Sequence, residues 1–163
     1  MTDQVHPAGE PVHEEVGELL ELADETERAG PTGLHPAREA LDRELREVKA
    51  EILRMGALVE DAIRSAIDAL VSHDAEAASA VIVGDRAVNE LQRSISGLIT
   101  ATIATQQPVA RDLRFLLSLD HVTYELERMG DHAGSVAKQA RKLAPQPPLR
   151  VAGRLTEMGE IAA

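Results

Sequence analysis

The sequence contains no cysteine and no tryptophan, and its 163 residues include one phenylalanine and one tyrosine. Without cysteine, the chain can form neither a disulfide framework nor a thiolate metal site. Because aromatic residues are so few, the core must be aliphatic. Apolar residues make up 44% of the chain, which is enough to build a hydrophobic core. Leu, Ile, Val and Ala set among Glu and Arg favour helices over sheets, so we expect an all-α protein.

Long apolar runs are also missing from the chain. No stretch approaches the ~20 residues of a membrane span, and the N-terminus lacks the pattern of a signal peptide. We therefore expect a cytoplasmic protein without membrane insertion. The net charge of −11 argues against nucleic acid as a partner, because neutralising phosphates needs a basic face.

The negative charge is concentrated at the start of the chain. Residues 1–36 carry nine acidic residues and one arginine, a net charge of −8, which leaves −3 for the rest of the chain. Four prolines and four glycines lie in the same segment, so we predict that residues 1–36 form a disordered acidic tail. Within this tail, Val16, Leu19, Leu20 and Ala23 have the spacing of one helix face, which allows a short helix to form on a partner.

Three long segments follow, and each places apolar residues three and four positions apart, the period of an amphipathic helix. The first apolar seam consists of Leu41, Leu45, Val48, Ile52, Met55, Val59, Ala62, Ala66 and Ala69. The second consists of Val88, Leu91, Ile95, Leu98 and Thr102. The third consists of Phe115, Leu119, Val122, Leu126, Met129, Ala133, Val136, Ala140 and Leu143.

Three helices of this length, joined by short turns, predict an antiparallel three-helix bundle over residues 37–144. Asp74 is the expected N-cap of the second helix. The sustained heptads also allow a coiled coil, but the short turns and three separate seams favour the bundle. Residues 145–163 are expected to form a linker and an incomplete C-terminal helix.

Polar residues form a second stripe beside two of the seams. On the third helix the stripe consists of Asp120, Tyr124, Glu127, Asp131 and Ser135. On the second helix it consists of Asp85, Asn89, Gln92 and Ser96. If the two helices are antiparallel neighbours, the stripes border a common groove, although the sequence does not set their relative height.

Glu127 and Asp131 lie one helical turn apart, with Gly130 between them. Like charges at this spacing repel by roughly 0.2–0.5 kcal/mol, and an interior glycine costs about 1 kcal/mol relative to alanine. A bound cation would offset the repulsion, and Gly130 would leave room for the ion, a water molecule or an adjacent backbone. Oxygen ligands from Asp85, Asn89, Glu127 and Asp131 suit Mg²⁺, Mn²⁺, Ca²⁺ or iron. The spacing equally fits a solvated acidic pair.

A family resemblance rests on all three helices. The third helix reads "ARDLRFLLSLDHVTYELERMGDHAGSVA" and follows "QQPVA". The first contains "LDRELREVKAEILRMGALVEDAI", and the second contains "VIVGDRAVNELQ". These segments, which span about residues 37 to 143, closely resemble the PhoU family, regulators of bacterial phosphate uptake. The resemblance implies two similar three-helix bundles in tandem, so that residues 145–163 would hold the truncated start of a second repeat.

The resemblance also implies surface metal clusters, often of iron, built from Glu/Asp-x-x-x-Asp motifs. The third-helix motif maps to Glu127 and Asp131, and the second-helix motif maps to Asp85 and Asn89. Asn89 keeps an oxygen ligand but lacks the charge, which puts the metal affinity or the cluster size in doubt. We therefore expect at most an iron or another divalent cation at these four residues.

The function implied by the resemblance is that of a regulatory adaptor rather than an enzyme. Such a protein would bind the ATPase of a phosphate ABC transporter and a sensor histidine kinase, and would hold the phosphate-starvation response off. No phosphate loop or glycine-rich nucleotide motif is present. An alternative is a di-metal carboxylate enzyme, but such a site needs Glu-x-x-His motifs, which none of the three predicted helices contains. Another is a purely structural helical module whose metal motif has decayed.

Two further expectations concern the surface. An incomplete last helix that carries Leu155, Met158 and Ile161 would leave apolar surface exposed, so we expect a homodimer. Arg111 and Arg114, in the first turns of the third helix, are alternative phosphate ligands, although helix starts commonly carry such surface arginines.

Overall fold

The computed structural model describes residues 36–147 and 152–162, which are helical apart from the short connections between helices. The helices are α1 (Pro36–Ser72), α2 (Ala75–Gln106), α3 (Ala110–Leu143) and α4 (Ala152–Ala162). Each of α1, α2 and α3 packs against the other two. The predicted all-α three-helix bundle is thereby confirmed. The predicted disordered tail lies outside the described residues, apart from the first residue of α1.

The α1 seam forms the centre of the core, as its pattern predicted. Eight of its nine members are buried, and Ala62 is partly buried. Its larger side chains, such as Ile52 and Met55, pack in one cluster with Val88, Ile95 and Leu116. Its late alanines instead meet alanines of α2 and α3. Because alanine extends little beyond the backbone, this packing allows the three helices to approach closely at this end of the bundle.

The two turns of the bundle are short and have defined geometry. Asp74 caps α2, since its Oδ1 accepts hydrogen bonds from the backbone N–H groups of Glu76 and Ala77, both at 2.9 Å. This capping confirms the prediction and satisfies two of the free donors at the helix start. His73 and Gln107 adopt left-handed backbone conformations, with φ of 59° and 48°. Each reverses the chain directly after a helix, which makes neighbouring helices antiparallel.

The buried stripe of α3 differs from its predicted seam. Five of the nine predicted positions are only partly buried, namely Phe115, Val122, Met129, Val136 and Leu143. The buried positions are Leu116, Leu119, Thr123, Leu126, Gly130, Ala133, Gly134, Ala137 and Ala140. The prediction ranked residues by apolarity, whereas closely packed helices favour small side chains at the contact. The buried side of α3 is consequently rotated about the helix axis, relative to the prediction, by less than the roughly 100° that separate successive residues. This rotation brings the polar stripe of α3 toward α2.

The short helix α4 packs against α1, in the part of the chain predicted to hold an incomplete helix. Gly159 is buried at this contact, and a Cβ atom added to it would lie 3.0 Å from Cγ1 and Cγ2 of Ile67. Met158 and Ile161 face away and are 63% and 58% exposed. The backbone of α4 therefore rests directly on α1. Of the three apolar side chains expected to be exposed, Met158 and Ile161 lie at the surface, whereas Leu155 is partly buried.

Ion pairs between sequence neighbours decorate the outer faces of the helices. Arg86 pairs with Glu90, and Arg128 pairs with Glu125. Exposed pairs of this kind contribute little to stability, typically about 0.2–1 kcal/mol each. None of the four described helices has both the length and the apolar content needed to cross a bilayer.

Candidate functional site

The polar stripes of α2 and α3 face each other across one groove. The Ser96 hydroxyl donates a 2.7 Å hydrogen bond to Oδ1 of Asp120, and Nε2 of Gln92 donates to the Ser96 hydroxyl at 3.2 Å. Gln92 is buried beside this pair. We define the polar groove as the surface formed by Asp85, Asn89, Gln92, Ser96, Asp120, Tyr124, Glu127 and Asp131. The common border predicted for the two stripes is thus present.

The bond between Ser96 and Asp120 also sets the height of the remaining groove residues. Antiparallel helices have the same rise of 1.5 Å per residue in opposite directions. Seven residues from this bond, toward the start of α2 and toward the end of α3, Asn89 lies level with Glu127. Another turn onward, Asp85 lies level with Asp131. This register places the four residues predicted for the site along the same border of α2 and α3, and it supplies the relative height that the sequence left open.

Two glycines of α3 allow this close approach. A Cβ atom on Gly130 would lie 3.2 Å from Cγ1 of Val88 and 3.8 Å from Cγ2 of Val59. A Cβ atom on Gly134 would lie 3.7 Å from Oδ1 of Asp85. Gly130 is therefore located where all three helices of the bundle meet. Its missing side chain makes room for a neighbouring helix, and not for an ion or a water molecule.

Asp85 and Asn89 interact with each other within α2. The Asn89 side-chain amide donates to Oδ2 of Asp85 at 3.2 Å and to the Asp85 carbonyl oxygen at 3.1 Å. The other carboxylate oxygen, Oδ1, is buried and has no hydrogen-bond partner among the described residues. A buried acceptor without a partner costs free energy. This oxygen is therefore the groove atom with the greatest need of a donor or a cation.

The two carboxylates of α3 differ in exposure. Glu127 is partly buried and Asp131 is exposed, and neither forms an ion pair with another described residue. Arg128 lies between them in sequence but pairs with Glu125 at 2.6 Å, outside the groove. Within residues 36–147 and 152–162, no three His, Cys, Asp or Glu side chains lie close enough to hold a metal ion. The groove is thus acidic, but its side chains do not already form a closed metal site.

Two residues of this region were not selected as site residues from the sequence. Asp120 was placed in the stripe but not among the ligands, and its bond to Ser96 now fixes one end of the groove. Gly134 is buried against Asp85. The available signal was the spacing of Gly130 and Gly134, because small residues four positions apart allow helices to approach closely.

Comparison with known proteins identifies relatives over the same region. The family described as "PhoU domain" matches residues 52–140. The phosphate-specific transport system accessory protein PhoU homolog of Aquifex aeolicus is 38% identical over 121 residues, which are 74% of this chain and 55% of that protein. The homolog of the same name from Xylella fastidiosa strain Temecula1 is 33% identical over 129 residues, or 79% of this chain and 53% of the relative.

A solved protein structure also resembles this chain. The crystal structure of PhoU from Pseudomonas aeruginosa has a TM-score of 0.69 and 32% sequence identity, and the match covers 73% of this chain and 57% of that one. The chain spans about half the length of the curated relatives it matches. The matched domain takes up more than half of the chain and includes the four predicted site residues. This chain belongs to the PhoU domain family.

Proposed function

We propose that this chain is a regulatory adaptor of phosphate uptake. The observation that carries the proposal is its membership of the PhoU domain family, whose matched relatives are named accessory proteins of a phosphate-specific transport system. In this proposal the chain acts in the cytoplasm and binds the ATPase of a phosphate ABC transporter and a sensor histidine kinase. By doing so it restrains the phosphate-starvation response when phosphate is sufficient.

The physical features of the bundle support a binding role. Helices of 32 to 37 residues extend for about 50 Å at 1.5 Å per residue, and aliphatic side chains fill the space between them. Such rods present long, rigid faces to a partner. The described surface adds large exposed side chains to these faces, including Tyr124 of the polar groove and Leu117.

Two measurements test the adaptor proposal. Deletion of the gene in its host is expected to raise expression of a phosphate-starvation reporter in phosphate-rich medium, and the intact chain supplied in trans is expected to reverse the effect. The purified chain is expected to bind the transporter ATPase or the kinase saturably in calorimetric titrations. An unchanged reporter together with no binding to either protein would overturn the proposal.

We also propose that the polar groove binds a divalent cation, such as iron, through Asp85, Glu127 and Asp131, with Asn89 as a neutral fourth donor. The unpartnered Oδ1 of Asp85 supports this assignment, as does a donor set made only of oxygen atoms. Because Asn89 lacks a charge and no three-acid group is already assembled in the described residues, we assign a single weakly held ion. Its chemical contribution would be to screen the repulsion among the three carboxylates.

Metal analysis tests the cation site separately from the adaptor role. The metal content of the purified chain, and calorimetric titration with Mn²⁺ and Fe²⁺, are compared with those of Glu127→Ala and Asp131→Ala, which are expected to lose binding. Glu125→Ala is the matched control, because its carboxylate pairs with Arg128 outside the groove. Equal metal content in all four samples would end the cation proposal and leave the adaptor proposal standing.

We propose, thirdly, that a second copy of the chain covers the exposed side of α4. Met158 and Ile161 are neighbours on one helix face and are largely exposed. Adjacent exposed apolar side chains favour self-association. Sedimentation velocity is expected to show a dimer at micromolar concentration and a monomer after Met158→Glu with Ile161→Glu. A compact monomer of the unmodified chain would refute this interface.

A further inference from the structure

A basic face lies between the N-terminal halves of α1 and α3, on a different side of the bundle from the polar groove. Two contacts place these helix segments side by side. Nη1 of Arg38 pairs with Oδ2 of Asp112 at 2.7 Å. Further along, Nζ of Lys49 lies 5.4 Å from the centre of the Phe115 ring. The side chains around these two contacts therefore share one surface.

Four exposed arginines lie in the same segments of α1 and α3 as these contacts: Arg43, Arg46, Arg111 and Arg114. Arg46 precedes Lys49 by three residues and so lies on the same side of α1, while Arg111 precedes Phe115 by one helical turn. None of the four forms an ion pair with another described residue. We define the basic face as these four arginines together with Lys49 and Leu53.

The positive charge of this face is only partly balanced by the acidic residues around it. Asp42 and Asp112 both pair with Arg38, at 2.9 and 2.7 Å, so they are already engaged. Glu39 and Glu47 are exposed and lie one turn before and one turn after Arg43. The five cations, namely the four arginines and Lys49, less these two acids leave a net charge of +3 in a chain whose net charge is −11. Leu53 adds an apolar element, because it lies one turn beyond Lys49 and is 52% exposed. The face is suited to an occupant that is both acidic and partly apolar.

We infer that the acidic N-terminal segment of the same chain, residues 10–27, binds this basic face. The segment contains eight acidic residues and no lysine or arginine. Val16, Leu19, Leu20 and Ala23 supply apolar side chains at the spacing of one helix face. Charge and apolar content therefore both match the face.

The connection between the two parts is long enough. Ala23 is thirteen residues before Pro36, the first residue of α1, and such a length spans up to roughly 43 Å when extended. Arg46 is ten residues into α1, at about 15 Å from its start. The segment can thus reach all of the basic face. Once bound, it covers the face and competes with any other acidic partner, so the chain carries its own competitor.

Zero-length carbodiimide cross-linking of the full chain tests this inference, because the chain contains only three lysines. Lys49 belongs to the basic face, whereas Lys138 and Lys142 lie near the other end of α3. At low salt, peptide mapping of the monomeric product is expected to join acids of residues 10–27 mainly to Lys49. High salt is expected to suppress these links, since it screens exposed charges.

Charge reversal makes the test specific. Arg46→Glu with Arg114→Glu is expected to abolish the Lys49 links, and Glu18→Arg with Glu21→Arg in the same chain is expected to restore them. Arg93→Glu is the matched control, because Arg93 is exposed on α2 and lies outside the face. Circular dichroism confirms that each variant is folded. Links that survive the reversal, that favour Lys138 or Lys142, or that occur only between chains would overturn the inference.

Discussion

Gly130 of α3 lies against Val88 of α2, so closely that a Cβ atom on the glycine would be 3.2 Å from Cγ1 of the valine. This contact explains a glycine within an acidic stripe. An interior glycine costs about 1 kcal/mol of helix propensity relative to alanine, and close packing of α2 offsets that cost. The same approach brings the carboxylates of the polar groove to one surface, so packing and site geometry share a cause.

The two glycines of α3 should respond differently to alanine. Gly134→Ala is expected to stabilise the bundle by up to about 1 kcal/mol, because its new Cβ atom would make an ordinary contact, 3.7 Å from Oδ1 of Asp85. Gly130→Ala should gain less or lose stability, because Val88 has to move. Urea unfolding measures both. An equal gain in the two variants would contradict the close approach of α2 and α3.

A second prediction concerns two threonines whose side chains are fully buried. Thr102 has 0% exposure and its Oγ1 has no hydrogen-bond partner among the described residues. Thr102→Val should therefore raise the free energy of unfolding by about 1 kcal/mol, since it removes an unsatisfied hydroxyl at nearly constant volume.

Thr123→Val is the internal comparison for this prediction. Thr123 is equally buried, but its hydroxyl donates to the Leu119 carbonyl oxygen at 2.8 Å. Its replacement removes a satisfied hydrogen bond and should yield a smaller gain than Thr102→Val. The reverse order of the two melting temperatures would show that Thr102 has a partner.

The amino-acid sequence predicts α1 better than α3, for a physical reason. Every core position of α1 holds an apolar residue in an unbroken 4,3 spacing, so apolarity alone identifies the buried side. On α3, the core contacts include Thr123, Gly130 and Gly134, whose small side chains give no apolar signal. Their burial follows from how closely another helix approaches, which is a property of the packed bundle.

Spacing within each helix selects the residues of the candidate site, but it does not specify how they are arranged. The carboxylates of α3 and the place of Asn89 follow from spacing. Their juxtaposition depends on the pairing of Ser96 with Asp120, a contact between helices that spacing within one helix cannot specify. The exposed Asp131 and the mutual bonding of Asp85 and Asn89 were likewise not visible in the pattern.

The hydrogen bond between Ser96 and Asp120 provides a third prediction. Ser96→Ala leaves the partly buried Asp120 carboxylate without this donor, and we expect a loss of about 1 kcal/mol. A double-mutant cycle with Asp120→Ala isolates the pair, because both single variants remove the same contact. A coupling energy near zero would show that the bond does not fix the height of the groove.

Asn89→Asp tests the electrostatics of the groove. Without metal, the change removes the amide that donates to Asp85 and adds a like charge one turn away, so stability should fall by about 1 kcal/mol. With Mn²⁺ present, the added carboxylate should strengthen binding to the folded chain and raise the melting temperature more than in the unmodified protein. An equal Mn²⁺-dependent shift in both proteins would separate Asn89 from the proposed cation site.

The contact between α4 and α1 yields the last prediction. Gly159→Ala places a Cβ atom 3.0 Å from two carbons of Ile67, so α4 has to shift away from α1. Hydrogen exchange should accelerate in α4 and stay unchanged in the core of the bundle, where no contact is altered. Gly153→Ala is the matched control, because a Cβ atom there meets nothing within 4 Å. If Ile67→Ala in the Gly159→Ala chain restores slow exchange, the steric cause is established, whereas unchanged exchange in Gly159→Ala itself would place α4 elsewhere on the bundle.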